Sequence, residues 1–108
     1  MHNQHIEEGK TAAIISYLSW PGLLIGFIMN NSKRNSFTSF HIRQMIGLLL
    51  LQLLAGAIGS LVGIPTVARF LHITLFIFWI TGFIGCLKGQ EKKIPLFGDL
   101  FQDWFKGI

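Results

Sequence analysis

The stretch QMIGLLLLQLLAGAIGSLVGIPTVA, residues 44–68, contains no charged side chain, and its reading decides the fold. About 20 apolar residues at 1.5 Å of helical rise cross the roughly 30 Å of a bilayer's hydrocarbon core. Two further charge-free windows flank it, residues 11–32 and 70–87. The three hold 25, 22 and 18 residues, and only Lys33, Arg34 and Arg43, then Arg69, stand between them. Such runs are too long and too apolar for a soluble chain of 108 residues. The composition agrees, with 51% hydrophobic and 13% charged residues, against about 25% charged in a soluble domain. The sequence therefore predicts an all-α membrane protein, a single polytopic domain over 1–108.

The windows translate into three transmembrane helices over about 11–30, 40–62 and 67–87. Pro21 and Gly22 fall near the middle of the first. A proline removes one N–H and clashes with the preceding turn, so a kink or break is expected there. The carbonyls freed near Tyr17 then need a partner, from Ser16, Ser19 or a neighbouring helix. After the third span, Ile94-Pro95 breaks the chain. Phe97, Leu100, Phe101, Trp104 and Phe105 then recur at helical spacing. With Asp99, Gln102, Asp103 and Lys106 opposite, residues 94–108 read as an amphipathic helix lying in the interface.

The formal net charge is +4. The cations sit beside the apolar windows, so anionic lipid headgroups account for them better than nucleic acid does. Cys86 is the single cysteine and closes no internal disulfide. No small-residue cleavage site ends the first window, so it is expected to stay as a span. With three spans, the 30–39 loop and the tail share one side with seven cations, against Lys10 and Arg69 on the other. The positive-inside rule then places loop and tail in the cytoplasm of an inner membrane. If the break at Pro21-Gly22 makes the first segment re-entrant, the count becomes eight against Arg69 alone.

Three constellations stand out. Phe40-His41-Ile42-Arg43-Gln44 puts a cation at the start of a helix, where the dipole disfavours it. His41, Arg43 and Gln44 are therefore candidates for docking the tail or a partner. Asp99 and Asp103, four apart on the tail, are the candidate carboxylates for Arg43; the plain alternative is a snorkelling arginine. Gln52 lies near the centre of the second span and should face another helix, since an amide in hydrocarbon needs a partner. Small residues at four-residue spacing mark close helix packing: Gly22 with Gly26, Ala55 with Gly59, Gly56 with Ser60, and Gly82 with Cys86. Gly56 and Gly59 are expected at a close contact, with Leu50 or Leu53 toward lipid. Arg69 and His72 read as snorkelling groups at the outer end of the third span. His2 and His5 are three apart, a weak metal pair at most.

Catalytic signatures are absent: no G-x-S-x-G, no H-E-x-x-H, no P-loop and no paired intramembrane acids. No cofactor or metal site is expected, and no enzymatic activity.

The stretch Ser39-Phe40-His41-Ile42-Arg43-Gln44-Met45 resembles the F-H-x-R-Q-A signature of small bacterial membrane proteins of unknown function. That family is similar to the chloroplast inner-envelope import component, the twenty-kilodalton Tic subunit. The order of features also agrees: Ser16-Tyr17-Leu18-Ser19 in a first span, a short basic loop, the signature, then Gly89 before Ile94-Pro95-Leu96. Met45 stands where the family has alanine. The resemblance implies a role beside protein translocation or membrane assembly. The expected function is a non-enzymatic subunit or accessory of a membrane complex, joined to a larger membrane protein or to itself. A homo-oligomeric channel or small-solute transporter is the alternative, and Gln52's near isolation at mid-depth weighs against it.

Overall fold

The structure, a computed structural model, describes residues 4–108 and contains five helices, with no strand among the described residues. They are α1 (Gln4–Leu18), α2 (Trp20–Lys33), α3 (Ser36–Val62), α4 (Pro65–Leu87) and α5 (Gly98–Trp104). The pair His2/His5 cannot be placed, because His2 lies outside the described residues.

The single helix expected over 11–30 is instead α1 and α2, folded back on each other. Pro21 lacks the N–H that would bond to the Tyr17 carbonyl one turn earlier. The chain leaves the helix two residues before the proline, at Ser19 (φ −172°, ψ 174°). The Ser19 hydroxyl then caps α2, accepting from Gly22 N–H at 3.2 Å, as serine does at an N-cap. The vacated Tyr17 carbonyl accepts a hydrogen bond from Trp79 Nε1 of α4 at 2.8 Å. The expected partner from a neighbouring helix is thus a tryptophan.

Two glycines let the hairpin close. A Cβ on Gly26 would lie 2.8 Å from the Ala12 carbonyl, and one on Gly22 would strike the Ile15 carbonyl. At 15 and 14 residues the two arms are about 22 and 21 Å long, short of a hydrocarbon core. Both outer ends meet the start of α3. Thr38 Oγ1 donates to the Gly9 carbonyl at 2.8 Å, and Asn30 Nδ2 donates to Ser39 Oγ at 2.8 Å. α1 and α2 thus form a helical hairpin with both outer ends beside the start of α3.

α3 begins at Ser36, four residues before the expected Phe40, because Asn35 caps it. Its side chain accepts from Thr38 N–H at 3.1 Å, and its own N–H donates to Asn30 Oδ1 at 2.7 Å. Gly63, at φ 69°, closes α3. Pro65 opens α4 in the first turn, where its missing N–H costs nothing. α3 and α4 are long and apolar enough to cross a membrane, and only 22% of each apolar window is buried. A soluble core helix would be buried along its length; these are not.

The buried side chains gather at one end of a molecule 48 Å long and 25 by 23 Å across. There α1, α2, the start of α3, the end of α4 and the tail pack together. Beyond it, α3 and α4 continue as a bare two-helix arm, with Leu53 65%, Leu61 87% and Phe70 69% exposed. The tail departs from a simple interfacial helix. Phe101 is buried with its ring over Gly47 of α3, where a Cβ would clash. Leu100 and Trp104 point away from the bundle.

Two outcomes follow from this architecture. In a variant lacking Cys86, single cysteines at Thr11, Ser32 and Gln90 should react with an impermeant label from one side, and at Thr66 from the other. Labelling of Thr11 from the Thr66 side would restore a full first span. Trp79→Phe should lower stability by about 1–2 kcal/mol, the scale of one interhelical hydrogen bond in a membrane protein. Thermal melting in detergent measures it, with Phe76→Leu as the packing control.

Candidate functional site

The signature stretch lies in the first three turns of α3, at the compact end. A helix places His41 and Gln44 on one face, three residues apart, and Arg43 on the opposite flank. The two faces do different work.

His41 and Gln44 are fully buried and converge with Tyr17 in one hydrogen-bonded knot. Gln44 Nε2 donates to the Tyr17 hydroxyl at 3.1 Å, and Gln44 Oε1 accepts from Ile94 N–H at 2.8 Å. His41 Nε2 lies 2.9 Å from the Gln90 carbonyl, which can only accept, so Nε2 carries the proton. Nδ1 is then the acceptor, and the Tyr17 hydroxyl donates to it at 2.6 Å. Every polar atom in the knot has a partner, as buried polar groups require. It joins α1, α3 and the segment after α4. Gly82 of α4 makes the room: a Cβ there would stand 2.9 Å from the Tyr17 hydroxyl and 3.1 Å from Gln44 Nε2. Aromatic rings enclose it, with Tyr17, Phe37 and Phe40 set edge-on to the His41 ring.

Arg43 holds the tail, though through different atoms from those expected. Its Nη1 donates to Gln102 Oε1 at 3.2 Å and its Nη2 to the Lys106 carbonyl at 3.0 Å. Gln102 Nε2 completes the grip by donating to the Phe40 carbonyl at 2.9 Å. Asp99 and Asp103, the expected carboxylates, do not meet Arg43. Asp99 pairs with Lys93 at 2.6 Å and Asp103 lies 3.9 Å from Lys106, all with exposed side chains. Because α3 starts at Ser36, Arg43 sits two turns inside it. The dipole penalty expected from a terminal position does not apply, since that effect fades within the first turn. Arg34 adds a second strap, donating to the Gly107 carbonyl at 3.2 Å. Both guanidiniums are held by neutral oxygens.

Gln52 is not the interhelical bond the sequence suggested. It is exposed and bonds to no other described residue. It lines an open groove of about 250 Å³ between α3 and α4, with His72 on the opposite wall and Trp79 at its head. Of the expected packing residues, Gly22, Gly26, Ala55, Gly59 and Gly82 do sit at close contacts or in the interior. A Cβ on Gly59 would lie 2.9 Å from Ala68 Cβ. Gly56 and Ser60 do not: nothing lies within 4 Å of a Gly56 Cβ, and Ser60 is exposed. The expected Gly56 contact within the chain is therefore wrong, because α4 packs against the Ala55–Gly59 side of α3.

Tyr17, Trp79, Gln90 and Gln102 are the working residues that spacing alone missed. Only Tyr17 left a trace, through the carbonyl that Pro21 frees. Among the described residues no three His, Cys, Asp or Glu side chains group so as to hold a metal ion.

Tyr17→Phe should cost about 1–3 kcal/mol, since it leaves His41 Nδ1 and the Gln44 amide unsatisfied out of water. Gly82→Ala should be comparably harmful by pushing into the same knot. Melting of both in detergent tests this; a Tyr17→Phe variant as stable as the parent would show the knot to be slack.

The chain is similar to a known membrane protein. The chain is 32% identical, over 103 residues, to the UPF0132 membrane protein MJ1527 of Methanocaldococcus jannaschii. The match covers 94% of this chain and 72% of that protein. No family model matches the chain, and no solved structure matches it significantly.

Proposed function

The chain belongs to the UPF0132 family of membrane proteins, and we propose that it acts as a non-enzymatic structural subunit or accessory of a membrane complex. It associates in the plane of the bilayer through the α3–α4 arm. The observation that carries this reading is the arm itself. Along that half the two long helices pack on each other and leave their outer faces bare, and Gln52 and His72 stand in an otherwise apolar groove between them. Polar groups in hydrocarbon are costly and are retained where another helix satisfies them.

The α1–α2 hairpin, taken as re-entrant, supports an orientation. With both its ends beside the tail, eight of the nine Lys and Arg residues fall at the compact end and Arg69 alone at the other. By the positive-inside rule this distribution supports a cytoplasmic compact end. The likeness of Ser39–Met45 to the signature of small bacterial membrane proteins, a family similar to the chloroplast import component, supports a place beside a protein-translocation or membrane-assembly apparatus. The buried knot supports a fixed joint in that stretch instead of an open reactive surface.

Purification from native membranes in mild detergent tests the reading, with the particle mass corrected for detergent. An assembly larger than the 12.2 kDa chain, of one or several proteins, is expected. A monodisperse monomer would defeat it. Arg43→Lys should leave that assembly intact while exposing residues 98–108 to protease severalfold faster, because a single ammonium cannot span Gln102 and Lys106 as the guanidinium fork does.

A further inference from the structure

We infer that residues 93–104 form a second hairpin, inserted into the bilayer against α3, with Leu96 at its apex immersed in lipid chains. This goes beyond the association of the arm and gives the tail a different partner, the hydrocarbon itself.

The contacts of the tail run down α3 and back up it. The Gln90 carbonyl meets His41, and Ile94 N–H meets Gln44. Phe97 then packs on Phe78 of α4, with ring centroids 6.3 Å apart. Leu96 lines one cavity with Leu51 and Leu54. From there the chain returns. Phe101 lies over Gly47, Gln102 and the Lys106 carbonyl meet Arg43, and the Ile108 carbonyl accepts from Ser39 Oγ at 3.2 Å. Leu51 stands eight residues beyond Arg43, about 12 Å along the helix. Arg43 is the last charge before the apolar run of residues 44–68, so the apex lies well inside the apolar zone. A helix lying flat in the interface would meet α3 at one level only.

The loop suits that medium. Residues 94–98, IPLFG, carry no charge. On either side of them Lys93 and Asp99 pair at 2.6 Å and neutralise each other at the neck. The neck closes because residue 98 is glycine: a Cβ there would stand 2.5 Å from Lys93 Cβ. The turn also bonds to itself. Phe97 N–H donates to the Pro95 carbonyl at 2.7 Å and Gly98 N–H to the Ile94 carbonyl at 3.2 Å. Backbone that enters hydrocarbon needs such internal partners.

Leu96 is the independent sign of what covers the apex. Its φ is 68°, a left-handed conformation that leucine seldom adopts, and its side chain is 85% exposed. A glycine or asparagine would make the same turn with less strain. Strain kept at an exposed apolar side chain points to a use outside the chain. Leu96 adjoins Leu54 on the outer face of the arm, and Leu100 and Trp104 continue the exposed ridge one turn apart on α5. Trp104 lies between the two residues that Arg43 holds, at the level where indole rings favour the membrane interface.

The test uses the full chain in vesicles of phosphatidylcholine and phosphatidylglycerol. In a Cys86→Ala background, nitroxide labels on Leu96→Cys, Trp104→Cys and Lys106→Cys are compared by collision with oxygen, which concentrates in hydrocarbon, and with a nickel chelate, which stays in water. The label at 96 should favour oxygen as strongly as one on Leu54→Cys, and the label at 106 should favour nickel, with 104 between them. Equal ratios at 96 and 104, or a preference for nickel at 96, would overturn the inference. Few collisions with either reagent at 96 would put a protein surface there and overturn lipid as the occupant. Leu96→Asn keeps a residue that accepts the left-handed backbone but removes the apolar side chain. Added protease should cleave within residues 98–108 severalfold faster in that variant, and unchanged cleavage would overturn Leu96 as the anchor.

Discussion

The Tyr17 residue carries two obligations that the rest of the molecule is arranged to meet. Its carbonyl is stranded by Pro21, and its hydroxyl sits where water does not reach. Trp79 of α4 answers the first at 2.8 Å. His41 and Gln44 of α3 answer the second, and pass the demand on to the backbone at Gln90 and Ile94. In a bilayer an unanswered polar group finds no substitute in the solvent. One residue thereby fixes the position of the first hairpin, the long helix pair and the segment leading to the tail.

That constraint explains the uneven shape. The polar bonds require five segments to meet at the compact end, and glycines at 22, 26, 47 and 82 let them come close enough. The first two helices are too short to follow α3 and α4 across the hydrocarbon core. Where α1 ends, its slot between α3 and α4 continues as the empty groove beneath Trp79. The bare arm is the direct consequence of a proline placed halfway along an apolar run.

Arg43 shows how position changes the meaning of a charge. It is tied to a side-chain amide and a backbone carbonyl, with no carboxylate. Charge-neutral acceptors at a surface-level site suit a group that remains partly wet, and they hold the tail by geometry more than by Coulomb attraction. The acids that looked complementary face outward and pair with lysines of their own segment.

The sequence by itself determined the solvent, the helical class and the two long apolar helices, because hydrocarbon thickness is read directly from charge-free length. It also determined that the first window would kink or break and that a carbonyl near Tyr17 would need a donor, because a proline's missing N–H is a local fact. Only the tertiary structure decided that the break folds the chain back. A kinked span and a hairpin share one sequence pattern and differ in whether Gly22 and Gly26 meet α1. Likewise the spacing of His41 and Gln44 showed a shared face, while burial and partners depended on Tyr17, Gly82 and Gln90, which lie far away in the chain. Gly56 and Gly59 have the same local spacing, and only the placement of α4 separated the packed one from the open one. Periodicity reports what a helix can present, and the neighbouring helices decide which part of it is used.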